Sequence, residues 1–283
     1  MSDNLFRIPV GTWAETGLDW ITANFEPFFD VLKTAFQNFY DALAWVLTAP
    51  PFWAVILVLA LLAWLVKSWK LGLGTVIGLV AIYGMNQWEN SMETLALVLV
   101  ASLIAVVISI PLGVLTAKSK IVSAVVKPIL DFLQTMPAFV YLIPAILLLG
   151  IGAVPGIVAT IVFSLAPGAR FTELGIRSVD TEVLEAGQAF GASPGRILRQ
   201  IQFPLALPTI MAGINQVIML SLSMVVIAGM VGAGGLGAAV YKALTTLNTP
   251  LGVESGLSVV VLAIVLDRIT ASFGQSNVPS KNA

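Results

Sequence analysis

Seven apolar runs of about 15 to 25 residues, each bounded by polar or charged positions, recur along this chain. They cover about Phe52–Val66, Leu71–Met85, Met92–Ala117, Phe132–Leu149, Val154–Ala166, Pro208–Val231 and Gly256–Ile269. In lipid every backbone polar group must be satisfied internally, so runs of this length predict helices. A β-barrel would show alternating segments of about ten residues. The fold class expected is an all-α, polytopic membrane helix bundle.

The composition agrees. Of 283 residues, 58% are hydrophobic and only 10% charged, with mean hydropathy +0.97. A soluble domain carries about 25% charge. This disfavours a soluble enzyme, a disordered tail protein and a nucleic-acid binder, which needs a basic patch. With no Cys and no His, disulfides, thiolate chemistry and the commonest zinc ligands are missing. The first thirty residues lack a basic n-region, apolar core and cleavage site in that order, so no removable signal peptide is expected.

Basic residues set orientation. With seven spans and the N-terminus outside, 11 of the 14 basic residues fall inside: Lys67, Lys70, Lys118, Lys120, Lys127, Arg170, Arg177, Arg196, Arg199, Arg268 and Lys281. Arg7, Lys33 and Lys242 remain outside. Inverting the topology spoils this sorting. The expected layout is an extracytoplasmic segment over residues 1–50, peripheral membrane helices over 51–90, a core transmembrane domain over 91–270 and a cytoplasmic tail over 271–283.

Within the N-terminal segment, Phe25, Phe28, Phe29, Leu32, Phe36, Phe39 and Leu43 recur at helical spacing, opposite Asp30, Lys33, Gln37 and Asp41. This predicts an aromatic-rich amphipathic helix ended by Pro50-Pro51. It could lie in the outer leaflet, brace a partner, or pack on its own bundle.

Spans two to seven are nearly free of ionisable side chains, with Glu93 at the start of the third and Asp267 and Arg268 at the end of the seventh. A proton-driven carrier normally keeps a carboxylate at mid-membrane. No G-x-x-x-x-G-K-[ST] loop is present, so transport energy is expected from a separate subunit. Pro111, Pro137, Pro144 and Pro208 fall in or at spans, and Pro167 is expected to close the fifth. Such prolines fit a gated pathway or ordinary kinking. Gly150, Gly152 and Gly156 predict a tight turn between spans four and five.

One long inside loop, Gly168–Leu207, is expected to form two short helices joined by a turn. Asp180 or Thr181 can cap the first. Gly191 suits positive φ after its last turn. Ser193-Pro194 is a start signal for the second, and Pro204 and Pro208 return the chain to the membrane. A docking element for a cytoplasmic partner and a plain capped loop are both compatible with these residues.

The loop reads Glu185-Ala186-Gly187, three residues, Gly191, nine residues, Ile201-Gln202-Phe203-Pro204. This resembles the EAA loop of ABC-importer permeases, departing from it at Gly187 and Phe203. Leu133–Pro144, Gly191–Pro194, Pro208–Gln216, Leu220–Ala228 and Leu262–Arg268 also resemble the glycine betaine/proline-betaine branch. The run Gly232-Ala233-Gly234-Gly235-Leu236-Gly237 resembles methionine permeases too and does not choose a substrate.

The resemblance implies a type I ABC importer transmembrane domain, which is not itself an enzyme. Two copies would form the pathway, two ABC ATPase subunits would dock below, and an extracytoplasmic binding protein would deliver substrate. No cofactor is expected in this chain, since ATP and Mg would be bound by the ATPase. Partners would be these subunits and the lipid bilayer, with no nucleic acid, and the location a bacterial inner membrane. Glu185, Ala186, Gly187, Gly191, Ser193, Ile201 and Pro204 would form the ATPase-coupling loop. Met136, Pro137, Phe139, Tyr141, Asn215, Ser221, Ser223 and Met224 are candidate pathway or gate residues. Phe139 and Tyr141 could instead simply pack between helices. Alternatives are a permease for choline, carnitine or a methionine-like solute, or an ion-coupled secondary carrier.

Overall fold

The computed structural model describes residues 8–275. The proposed outside residue Arg7, the proposed inside residue Lys281 and the tail from 276 onward lie outside the described residues.

Helix α1 (Val10–Thr48) extends the amphipathic stretch on its N-terminal side and bends at Phe25, whose φ of −121° precedes Pro27 by two residues. Its aromatic-rich face splits. Phe36, Tyr40 and Leu43 pack on Ala96, Leu97 and Val100, while Phe28 and Trp45 are exposed. Pro51 caps α2 (Phe52–Val66), which turns away from α1 by 100°. Helix α3 (Trp69–Gly84) folds back on α2, with Gly72 against Ala60 and Trp64. At 15 and 16 residues, these two helices are about 22–24 Å long, shorter than a bilayer core of about 30 Å.

Helix α4 (Trp88–Lys118) matches the third run and continues through Pro111. The fourth run is not one helix. Helix α5 (Lys120–Thr135) and α6 (Ala138–Leu149) meet at 99°. The residue before a proline is pushed out of the helical region, and Met136, before Pro137, has ψ of 136°. The expected glycine turn follows, with φ of +79° at Gly150 and +137° at Gly152.

Helix α7 (Ala153–Arg177) runs straight through Pro167, which therefore does not close the fifth span. Packing outweighs the lost donor there. A Cβ on Gly113 would stand 2.5 Å from the Ala169 carbonyl oxygen, so α4 and α7 lie nearly backbone to backbone. The long loop consequently begins at Ser178, not Gly168.

Helix α8 (Thr181–Ala189) is the first short helix of that loop. The second is not separate. Helix α9 (Pro194–Ile197), a π-helical turn over Leu198–Gln202 and α10 (Phe203–Ser223) form one continuous rod. In the widened turn the Phe203 N–H reaches the Leu198 carbonyl. The extra residue relieves the clash that the Pro204 ring would make with the carbonyl four residues earlier.

Helix α11 (Val225–Met230) ends the sixth run. Helix α12 (Gly235–Thr246) then packs on α4, α11 and α13, an element the hydropathy pattern did not announce. Helix α13 (Thr249–Gln275) begins before the seventh run and extends beyond it. Among the described residues, four rods are long and apolar enough to span a membrane, or up to six if each bent pair counts as one. A helix lies under each of the seven expected runs, and α3, at 16 residues, is the apolar helix outside that count. Helices α4, α7 and α10 form the centre, with α13 on α10 and the α2–α3 hairpin outside it.

Candidate functional site

The EAA-like residues Glu185 to Ile201 lie in the hairpin between α7 and α10, and Pro204 sits in the first turn of α10. Asp180 Oδ1 accepts from the Glu182 N–H at 3.0 Å and starts α8. Gly191 has φ of +75°, and nothing stands within 4 Å of where its Cβ would be. Its constraint is conformation, not space. Ser193 occupies the cap position before Pro194, but its hydroxyl makes no cap bond.

Gly187 has the opposite constraint. A Cβ there would meet Ile201 Cδ1 at 2.7 Å, and Ile197 Cγ1 lies 3.7 Å away. The motif therefore closes on itself, with α8 resting on Ile197 and Ile201 through the bare face of Gly187. The Ala192 N–H donates to the Gly187 carbonyl at 3.1 Å and completes the turn.

No residue of α8 is buried. Glu185 is exposed and makes no hydrogen bond to the described residues. At the tip Phe190 is 93% exposed, with Val183 also exposed. Phe190 was missed by the motif reading, although its place between Ala189 and Gly191, at the end of a helix without a core-facing stripe, was visible. Behind α8 lies a hollow of about 450 Å³ lined by Lys118, Leu184, Gln188, Ala192, Pro194 and Ile197, among others.

The candidate pathway residues do not converge on one spot. Met136, Tyr141 and Met224 share a cluster with Leu142 and Ala159 beside the α5–α6 break. The Tyr141 hydroxyl is buried there without a hydrogen-bond partner among the described residues. Pro137 caps α6, and Phe139 is exposed. Asn215 instead ties α10 to α13. Its Nδ2 donates to Asp267 Oδ1 at 3.0 Å, and its Oδ1 accepts from Thr270 at 2.5 Å. Ser221 is fully buried, donates to the Val217 carbonyl at 2.8 Å and lies 3.4 Å from Ser164 Oγ. Ser223 is exposed and bonds only within its helix.

The glycine run also has a structural account. Gly234 and Gly235 have positive φ, and Gly229 and Gly237 have no room for a Cβ against the facing backbone. The run lets α11 and α12 cross in contact and turns α12 onto α4. Among the described residues, no group of His, Cys, Asp and Glu could hold a metal.

Residues 109–277 match the family profile "Binding-protein-dependent transport system inner membrane component". The chain belongs to this family. As a permease component it is a multi-pass inner-membrane protein and a transport subunit, not itself an enzyme. It is 46% identical over 276 residues to the glycine betaine/carnitine transport permease protein GbuB of Listeria monocytogenes, covering 96% of this chain and 98% of that one. It is 43% identical over 270 residues to the glycine betaine/proline betaine permease ProW of Escherichia coli, covering 95% and 76%. It is 45% identical to the glycine betaine permease OpuAB of Bacillus subtilis, covering 95% of each. In fold, the permease is similar to the inward-facing MetNI methionine ABC transporter, with TM-score 0.62 over 68% of this chain and 96% of that one, at 24% identity. The type I importer fold expected from the sequence is therefore present.

Proposed function

We propose that this permease carries glycine betaine or proline betaine type osmolytes across the inner membrane as the pathway subunit of an ATP-driven importer. The observation that carries the reading is full-length likeness, at 43–46% identity, to permeases named for these solutes. More distant relatives named for trimethylamine N-oxide and for choline are 38% and 34% identical over shorter stretches. Spans without mid-membrane charge suit a zwitterion, because neither sign must be offset.

The mechanism follows from the hairpin. An ABC ATPase would receive α8 in a groove, with Phe190 and Val183 as apolar anchors and Glu185 as a polar one. Glu185, Ala186, Gly187, Gly191, Ser193, Ile201 and Pro204 would form the coupling loop, closed on itself where Gly187 meets Ile201. Its two ends continue into α7 and into the α9–α10 rod, so a push on α8 is delivered to two central helices. Met136, Pro137, Phe139, Tyr141 and Met224 would line or gate the pathway near the α5–α6 break. Asn215, Ser221 and Ser223 would support the surrounding helices.

The assembly would contain two copies of this chain, two ATPases holding ATP and Mg, and an extracytoplasmic binding protein. The N-terminus would lie outside and the C-terminus in the cytoplasm, as the basic residues sort. The test is reconstitution of the complete importer in vesicles. Uptake of labelled glycine betaine that requires both enclosed ATP and the binding protein is expected. Uptake without the ATPase would favour a secondary carrier.

A further inference from the structure

Near its cytoplasmic end α7 presents Arg170, Glu173 and Arg177 toward α5, which offers Lys127 and Asp131 in return. Glu173 is 5% exposed, and its Oε1 lies 3.1 Å from Lys127 Nζ, 3.0 Å from Arg177 Nη2 and 3.2 Å from the donating hydroxyl of Ser123. Asp131 pairs with Arg170 as a second rung. The pairs 127–173 and 131–170 run in opposite senses, so the two helices are antiparallel here and zipped by charge. Arg177 also donates to the Thr116 carbonyl of α4 at 2.8 Å. This is one of the carbonyls that a helix C-terminus leaves without an intrahelical partner. One buried carboxylate thus gathers α5 and the end of α7, and through Arg177 the end of α4.

The position of this clasp gives it meaning. Only Ser178 to Asp180 separate Arg177 from α8. Among the described residues, α5 packs substantially against just α4 and α7. Its apolar contact with α7 centres on Leu130, Ala166 and Ala169, with Leu133 reaching the cluster that holds Ala159 and Phe163. A cavity of about 410 Å³ opens beside the clasp, lined by the charged residues and Leu174. Toward the end of α7 the ionic rungs are the contacts that tie α5 to it. At its other end α5 breaks at Met136–Pro137 into α6.

We propose that Glu173 is a positioning residue for transport coupling. It clamps α5 to α7, so that displacement of α8 is passed to the α5–α6 break instead of being lost as slippage between the helices. The inference rests on the reading that α8 docks on an ATPase. Lys127, Arg170 and Arg177 each keep roughly half of their side-chain surface in contact with solvent. Glu173→Gln therefore leaves these cations hydrated, and its amide can still accept from Ser123.

The test uses the complete importer in vesicles and reads uptake per ATP hydrolysed. Glu173→Gln is expected to assemble with the ATPase in normal ratio and to hydrolyse ATP, while uptake per ATP falls about fivefold or more. Glu173→Asp should recover part of the loss. Assembled Glu173→Gln with an unchanged ratio overturns the proposal. If that variant does not assemble, the outer rung decides. Asp131→Arg should lower the ratio, and adding Arg170→Asp should restore it. A ratio indifferent to both changes overturns the proposal. Failure of the wild-type permease to co-purify with its ATPase would overturn the docking reading instead.

Discussion

Glu93 Oε2 accepts a hydrogen bond from the backbone N–H of Gly235 at 2.8 Å, joining residues 142 positions apart. Beside it Thr94 Oγ1 accepts from the Leu236 N–H at 2.8 Å. Two side chains at the start of α4 therefore cap α12 from outside. Carboxylates at helix N-termini satisfy orphan donors and the helix dipole together. The charge that stood out at the start of an apolar run is thus a cap. Glu93→Ala is expected to destabilise the purified permease by about 1–2 kcal/mol, read as a lowered Tm in detergent. Glu93→Gln should lose less than half of that.

Gly237 lies against the Val225 carbonyl, with no room for a Cβ. Unlike a flexible side-chain tip, that backbone cannot move aside. Gly237→Ala should therefore separate α11 from α12 and abolish accumulation of folded permease, whereas Gly256→Ala, in open space, should be tolerated. Membrane-fraction yield and size-exclusion profiles distinguish the two.

Phe190 contributes almost no buried surface to the isolated chain, so Phe190→Ala should leave Tm within a degree or two. If it anchors an ATPase, its loss should weaken co-purification by about tenfold or more, as expected of an aromatic hot spot. Titration of the solubilised permease with the ATPase measures this. Unchanged affinity would remove Phe190 from the interface.

At Gly191, with φ of +75° and open space around it, an L-residue is strained by about 1–2 kcal/mol. Gly191→Asp should fold but misalign the end of α8, so that ATP hydrolysis persists while betaine uptake falls. Gly187→Ala meets only the flexible tip of Ile201 and should be mild, costing under about 1.5 kcal/mol. Comparing ATPase activity with uptake in vesicles separates the two positions.

Asn215 holds Asp267 and Thr270 between α10 and α13. Asn215→Leu would leave a carboxylate without that partner in a partly buried seam, lowering stability by about 1–3 kcal/mol. Substrate capture by the binding protein should be unchanged. A normal melting profile would contradict the assignment of Asn215 as a helix tie.

The parts legible in the sequence were those that local chemistry dictates. Apolar run length marked where helices lie, Asp180 and Gly191 marked the ends of α8, and Gly150 and Gly152 marked the turn before α7. Motif spacing located the hairpin and identified the family. The parts that misled were those where packing overrides local preference. Pro167 read as a stop, yet α7 passes through it because Gly113 and Gly168 let α4 press close. The charges of Arg170, Glu173 and Arg177 read as a loop, yet they are the last turns of a helix paired with α5. Ile201–Pro204 read as the end of a short helix, yet a π-turn absorbs Pro204 and the rod continues.

By itself the sequence determined that this is a membrane-embedded helical permease with an EAA-like hairpin, because hydropathy, prolines, caps and motif spacing act over a few residues. The tertiary structure decided which charges are solvated and which are joined. Glu93 meets Gly235 and Glu173 meets Lys127 only after helices far apart in sequence have packed. Whether a carboxylate is free, a cap or a clasp depends on partners that no local pattern specifies.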